Sequence, residues 1–163
     1  MKFYLLKSFL IGVFFFTLNI VSNVTLACTL EEFSPGDNVS SFLSKFEDVG
    51  TDELKTGEKV YYVNLDDRTI TVSAASEQIV VILVESDIKE FDINDNLLKY
   101  IDDMKNLYTK DYELKNPFNI VKASGEEFYE AKTDLDTFVS FRVYNNAGVI
   151  SLEEVCSVAS ISD

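Results

Sequence analysis

The chain has 163 residues, with 28 acidic and 14 basic side chains, a formal net charge of −14, and neither histidine nor tryptophan. Such a chain is repelled by nucleic acid and by anionic lipid headgroups, and attracted to basic proteins. The missing histidine removes the usual general base near neutral pH and the commonest transition-metal ligand, so serine, cysteine and zinc hydrolase templates lose their supports.

Residues 1–27 carry Lys2 and Lys7, then an uncharged apolar run through Phe9, Leu10, Ile11, Val13, Phe14, Phe15 and Phe16, and end on Thr25-Leu26-Ala27. That is the three-part layout of a secretory signal peptide, with cleavage expected after Ala27. A permanent anchor is the alternative, because no charge appears from Ser8 to Leu30 and about 20 residues span a bilayer. Asn19, Ser22 and Asn23 interrupt the apolar run and favour cleavage. Losing two lysines takes the net charge from −14 to −16 and leaves a single domain, residues 28–163.

Cys28 and Cys156 are the two cysteines. In an exported chain, pairing them is the simplest account. Lipidation at Cys28 is the rival. Thr25 stands where a lipid box usually has leucine, and Leu26 where it has a small or β-branched residue, and lipidation would leave Cys156 an orphan thiol.

Along the mature chain, Ser34-Pro35-Gly36-Asp37 reads as a turn feeding a helix, with Asp37 or Ser34 as its cap and Val39, Phe42, Leu43 and Phe46 at helical spacing. Gly50 and the acidic segment Thr51 to Glu58 end that helix. Strands are expected at Lys59 to Leu65, Arg68 to Ala74 and Ile79 to Val84, with Asp66-Asp67 turning the first hairpin. The unbroken apolar run "IVVILV" predicts a central strand buried on both sides.

The same order then recurs: a helix over Asn96 to Tyr108, then strands over Phe118 to Lys122, Glu127 to Ala131 and Thr137 to Tyr144. A last strand, Val149 to Val155, follows the turn Asn145-Asn146-Ala147-Gly148. Sliding the sequence by 58 residues lays Asn38-Val39 on Asn96-Leu97 and Phe46 on Met104, so segments 34–86 and 92–156 read as pseudo-repeats. Chance agreement of two helix-and-meander patterns is the competing account. The expected architecture is α+β: an antiparallel sheet of about seven strands, covered on one side by two helices.

Pro35-Gly36 with Val39, Leu43 and Phe46, then "KVYYVNL" and "VSFRVYNNAGVISLEE", carry a resemblance to two-repeat β-lactamase inhibitor proteins and the related small outer-membrane assembly lipoproteins. It spans most of the mature chain. The resemblance implies a helix-then-meander doubling and a binding role. The second repeat lacks the Pro-Gly entry of the first.

Paired carboxylates are the enzymatic option that survives, because glycoside hydrolysis needs only an acid and a base or nucleophile. With 28 acids, many pairs approach by accident, and no tryptophan is present to stack a sugar. Asp92, Asn94 and Asn96, with Asp103 at the twelfth position, match the ligand spacing of an EF-type calcium loop, but Leu97 replaces the required glycine. Helix capping by the same residues is the simpler account.

Arg142 shares a strand face with Phe138, Ser140 and Tyr144, the composition of a binding hot spot if that face is open. The opposing account has a helix covering Phe138 and Tyr144 while Arg142 pairs with one of the many acids. The expected function is that of a secreted, periplasmic binding protein of inhibitor or immunity type, without cofactor. It would occlude a basic partner protein, with Asp48, Asp52, Glu53, Glu85, Asp87 and Glu90 at the rim. A module tethered through Cys28, the one route to membrane contact, and a carboxylate-dependent hydrolase are the alternatives.

Overall fold

The computed structural model describes residues 28–54, 57–88, 97–146 and 149–162. The expected signal peptide, residues 1–27, lies outside them. The chain runs through helix α1 (Val39–Lys45) and strands β1 (Gly50–Glu53), β2 (Lys59–Asn64), β3 (Arg68–Ala75) and β4 (Gln78–Asp87). Helix α2 (Leu97–Asp111) follows, then strands β5 (Asn119–Ala123), β6 (Glu126–Lys132), β7 (Phe138–Asn146) and β8 (Val149–Ser157). All eight strands form one antiparallel sheet, ordered β1-β2-β3-β4-β8-β7-β6-β5, so the fold is α+β as expected. Each half is a helix followed by a four-stranded meander, and the two meanders join through their last strands, with Leu83 opposite Val155 and Val84 opposite Glu154.

Alternation along the strands decides which side the helices cover. Ile70 and Val72 of β3, Ile82 of β4, Phe141 of β7 and Cys156 of β8 are fully buried, and they share one face through the register. Phe42 of α1 packs there with Phe33 and Phe46, at ring-centre distances of 5.4 and 5.1 Å. Tyr108 of α2 lies 5.3 Å from Phe141 and 6.4 Å from Phe118. Burying side chains of this size stabilises by roughly 1.5–3 kcal/mol each. Both helices therefore sit on the same side.

The entry segment, 28–33, fills the seam between them. Tyr112 donates its hydroxyl proton to the Thr29 carbonyl at 2.9 Å. Glu31 pairs with Arg68 at 2.9 Å, and Phe33 meets α1. Cys28 is bonded to Cys156 across a Cα separation of 5.6 Å and a sequence separation of 128, and neither residue is exposed. The Cys28 N–H donates to Thr137 Oγ1 at 3.2 Å. The expected staple between entry segment and final strand is therefore present. Among the described residues no helix is long and apolar enough to cross a membrane. A buried disulfide of this kind is consistent with a secreted or extracytoplasmic protein.

Four details depart from expectation. Asn38, rather than Asp37 or Ser34, caps α1 by accepting from the Ser40 N–H at 2.9 Å, while Asp37 turns back to accept from the Ser34 N–H. The acidic segment after Gly50 contains a strand, β1, which brings the count to eight. There the Tyr62 ring lies over Gly50 so closely that a Cβ would collide with it. β4 is central but fully buried on one side only, because Val81 and Leu83 are half-buried on the helix-free side. Finally, a slide of 58 aligns the helices but lays Val63 of β2 on Val121 of β5, since the starts of β3 and β7 lie 70 residues apart.

Candidate functional site: the helix-free face of the sheet

With both helices on one side, the other face of the sheet carries the alternate side chains of every strand. Phe138, Ser140, Arg142 and Tyr144 of β7 point there, opposite to Val139 and Phe141 in the core. Register places Phe128 and Glu130 of β6, Ser151, Glu153 and Val155 of β8, and Leu83, Glu85 and Asp87 of β4 on that face too. The helix-covered alternative for Phe138 and Tyr144 is thus overturned; the helices pack against the opposite residues of the same strand.

Arg142 is the organising side chain. Its Nε donates to Glu153 Oε2 at 2.6 Å and its Nη1 lies 3.1 Å from Glu126 Oε2. The guanidinium stacks between the Tyr144 ring at 4.4 Å and the Phe128 ring at 5.0 Å. Only 20% of its side chain is exposed. Arginine suits this position because its planar fork can serve two carboxylates while its faces meet two rings. The pairing half of the alternative account therefore holds, and Arg142 acts as an internal clamp with its Nε and Nη1 engaged by carboxylates.

The need for a clamp follows from the register. Glu85 and Glu153 stand directly opposite each other on β4 and β8, and like charges so placed repel. Each receives a donor from β7: Arg142 for Glu153 and the Tyr144 hydroxyl for Glu85. Burial first, then the hydrogen bond and charge of Glu85, push the Tyr144 hydroxyl up to about 12, so it stays a neutral donor at physiological pH. Asp87 accepts from Ser151 Oγ at 3.0 Å.

One end of the face is covered by the chain itself. The Val158 N–H donates to the Val80 carbonyl at 3.0 Å, on the β4 side. Ser160 Oγ and the Ile161 N–H then donate to the two oxygens of Glu130 on β6, at 2.6 and 2.9 Å. Glu130, 5% exposed, also accepts from Ser140 Oγ at 3.1 Å. From the end of β8 the tail reaches past β7 to β6 as a strap, leaving open the opposite end, where Tyr144, Glu85, Asp87 and Glu126 lie.

The remaining predicted residues are dispersed. Asp52 shares the helix-free face but stands on edge strand β1, three strands from β4. Glu53 points to the other side, and both line a shallow concavity with Thr51, Lys59 and Tyr61. Asp48 is exposed in the link between α1 and β1. Glu90, and Asp92, Asn94 and Asn96 of the calcium reading, lie outside the described residues. Asp103 sits in α2, 3.5 Å from Lys99, and no group of three potential metal ligands occurs among the described residues. The apolar floor, Val81 and Leu83, escaped sequence reasoning because a continuous apolar run carries no sign of which alternate residues a helix will cover.

No protein-family model and no curated protein matches the chain. Among solved structures, a cysteine-rich secretory protein from Staphylococcus aureus subsp. aureus Mu50 is similar at 16% identity and a TM-score of 0.43. The match covers 79% of this chain and 47% of that one, so the chain spans less than half the length of that protein.

Proposed function

We propose that the protein is an exported binding protein of the inhibitor or immunity type, acting in the bacterial periplasm, and that the open end of the helix-free sheet face occludes a basic partner enzyme or toxin. The observation that carries this reading is the clamp: an arginine and two aromatic rings preorganise a carboxylate-rich surface around a half-buried apolar floor. Preorganisation matters because ordering side chains on binding costs about 0.5–1.5 kcal/mol each. The partner would meet Glu85, Asp87 and Glu126 with cationic groups while Tyr144 and Leu83 supply apolar contact. Electrostatic steering by a chain of net charge near −16 would speed the encounter.

Pull-down from envelope extracts is expected to recover a basic protein whose retention falls as salt rises. Reversing Asp87, as Asp87→Lys, is expected to weaken that retention about tenfold, mostly by slowing association. Recovery of nothing at any ionic strength, or undiminished retention by the variant, sinks the proposal. The mass of mature Cys28 tests the tethered alternative: a diacylglycerol adduct supports it, whereas a mass two hydrogens below the dithiol supports the untethered form. Turnover assays on peptidoglycan and glycans test the hydrolase alternative, for which Glu85 and Glu153 would be the paired carboxylates.

A further inference from the structure

An open sheet has two edges, and each presents backbone groups that another strand could pair with. In this sheet the two edges differ in chemistry. β1 is four residues long and ends on Asp52 and Glu53, both exposed, so another acidic chain is repelled there. β5, Asn119-Ile120-Val121-Lys122-Ala123, has no acid, and its pairing with β6 runs in continuous register without a bulge. Its one charge, Lys122, lies 3.7 Å from Glu127 of β6. Ile120 is 63% exposed.

We infer that β5 is a self-association edge, and that its occupant is β5 of a second copy of this chain, paired antiparallel about Val121. Charge distribution selects this occupant. A chain of net charge −14 repels its own copy almost everywhere, and the acid-free edge is where two copies meet without opposing carboxylates. A strongly basic partner, by contrast, has no acid to find on β5 itself. The geometry is self-complementary: antiparallel pairing centred on Val121 sets Ile120 of each copy beside the Lys122 stem of the other, covering the exposed isoleucine with methylenes. The chain already builds such a seam within itself, where β4 and β8, the last strands of the two meanders, pair antiparallel at the centre of the sheet. Joining first strands across a molecular dyad would extend that pattern to one continuous sheet. Both helix-free faces would then lie on the same side, because paired residues of neighbouring strands point the same way.

Sedimentation velocity over a concentration series tests the inference, with Ile120→Lys as the blocking variant and Val121→Cys as the register probe. The wild type is expected to shift from monomer to dimer as concentration rises. Ile120→Lys is expected to stay monomeric with an unchanged melting temperature, since the side chain it replaces is exposed. Val121→Cys is expected to give a covalent dimer through the introduced thiol, with the Cys28–Cys156 bond retained. A wild type that is monomeric up to millimolar concentration overturns the inference, as does a dimer that Ile120→Lys leaves intact. An edge that captures a different protein while the chain remains monomeric overturns the choice of occupant. The Ile120→Lys outcomes are independent of the partner-binding face, because Ile120 stands opposite Tyr129 and points to the helix side, whereas Val121 serves only to report the register.

Discussion

Glu154 is a carboxylate on the helix-covered side of a central strand, directly opposite Phe141 and Val84. Tyr108 of α2 donates its hydroxyl proton to it. Burial is the main cause that pushes its carboxyl above the ordinary range; Tyr108 pulls it down, and the charge of Glu31, itself paired with Arg68, pushes it up again. Burial and the same Glu154 charge also raise Tyr100 and Tyr108. With the folded value above the unfolded one, the folded state takes up this proton first. Stability from this group is therefore fully present below the ordinary carboxylate range and is lost as pH rises through the raised value. Glu154→Gln keeps an oxygen for Tyr108 and removes the charge. Its melting temperature at neutral pH is expected to exceed that of the wild type, and the gain on acidification through that window is expected to disappear. A variant melting lower at neutral pH would show that the charged Tyr108 bond outweighs the burial cost.

At the scale of elements, among the described residues two hairpin turns hold a successive pair of residues in the left-handed region. Ser76 and Glu77, between β3 and β4, have φ of 51° and 68°; Ser124 and Gly125, between β5 and β6, have φ of 52° and 85°. Two successive positive values describe a type I′ turn, whose twist suits a two-residue hairpin but suits Asn-Gly best. The first turn has neither asparagine nor glycine, and a non-glycine residue pays about 1 kcal/mol or more to sit there. Ser76→Asn with Glu77→Gly is expected to raise the stability by about 1–2 kcal/mol, read from the urea midpoint at unchanged slope. Turn chemistry also bears on what the sequence discloses. Period-2 alternation found β3, and the apolar run found the core of β4, but nothing in "SEQ" announces a tight turn. β1 stayed hidden because a glycine followed by three exposed residues, two of them acidic, carries no burial pattern; only pairing with β2 makes them a strand. The face shared by Phe138, Arg142 and Tyr144 was legible from alternation alone. That Arg142 pairs with acids was legible as well; that the acids are Glu126 and Glu153 was not, because cross-strand partners depend on the order in which distant strands assemble.

For the whole molecule, the Cys28–Cys156 bond is the longest-range covalent constraint. It closes a loop with a sequence separation of 128 and anchors the entry segment in the seam between α1 and α2. Chain-entropy reasoning assigns a loop of that size about 5 kcal/mol, a large part of a typical domain stability of about 5–15 kcal/mol. Cys28→Ala with Cys156→Ala is expected to lose stability on that scale by chemical denaturation, against a wild type kept oxidised. A loss below about 1 kcal/mol would show that the packing of the entry segment holds without the bond. The strand order has a consequence in time. A chain synthesised from its N-terminus completes α1 and β1–β4 first, yet β4, the central strand of the finished sheet, has β8 as its second neighbour. Until β8 emerges, β4 is a raw edge and Cys28 has no partner, so β8 is the strand that closes the sheet. Folding is therefore back-loaded: the first half waits, with an open apolar edge, until β8 has been made, and deletion of β8 would undo both halves at once.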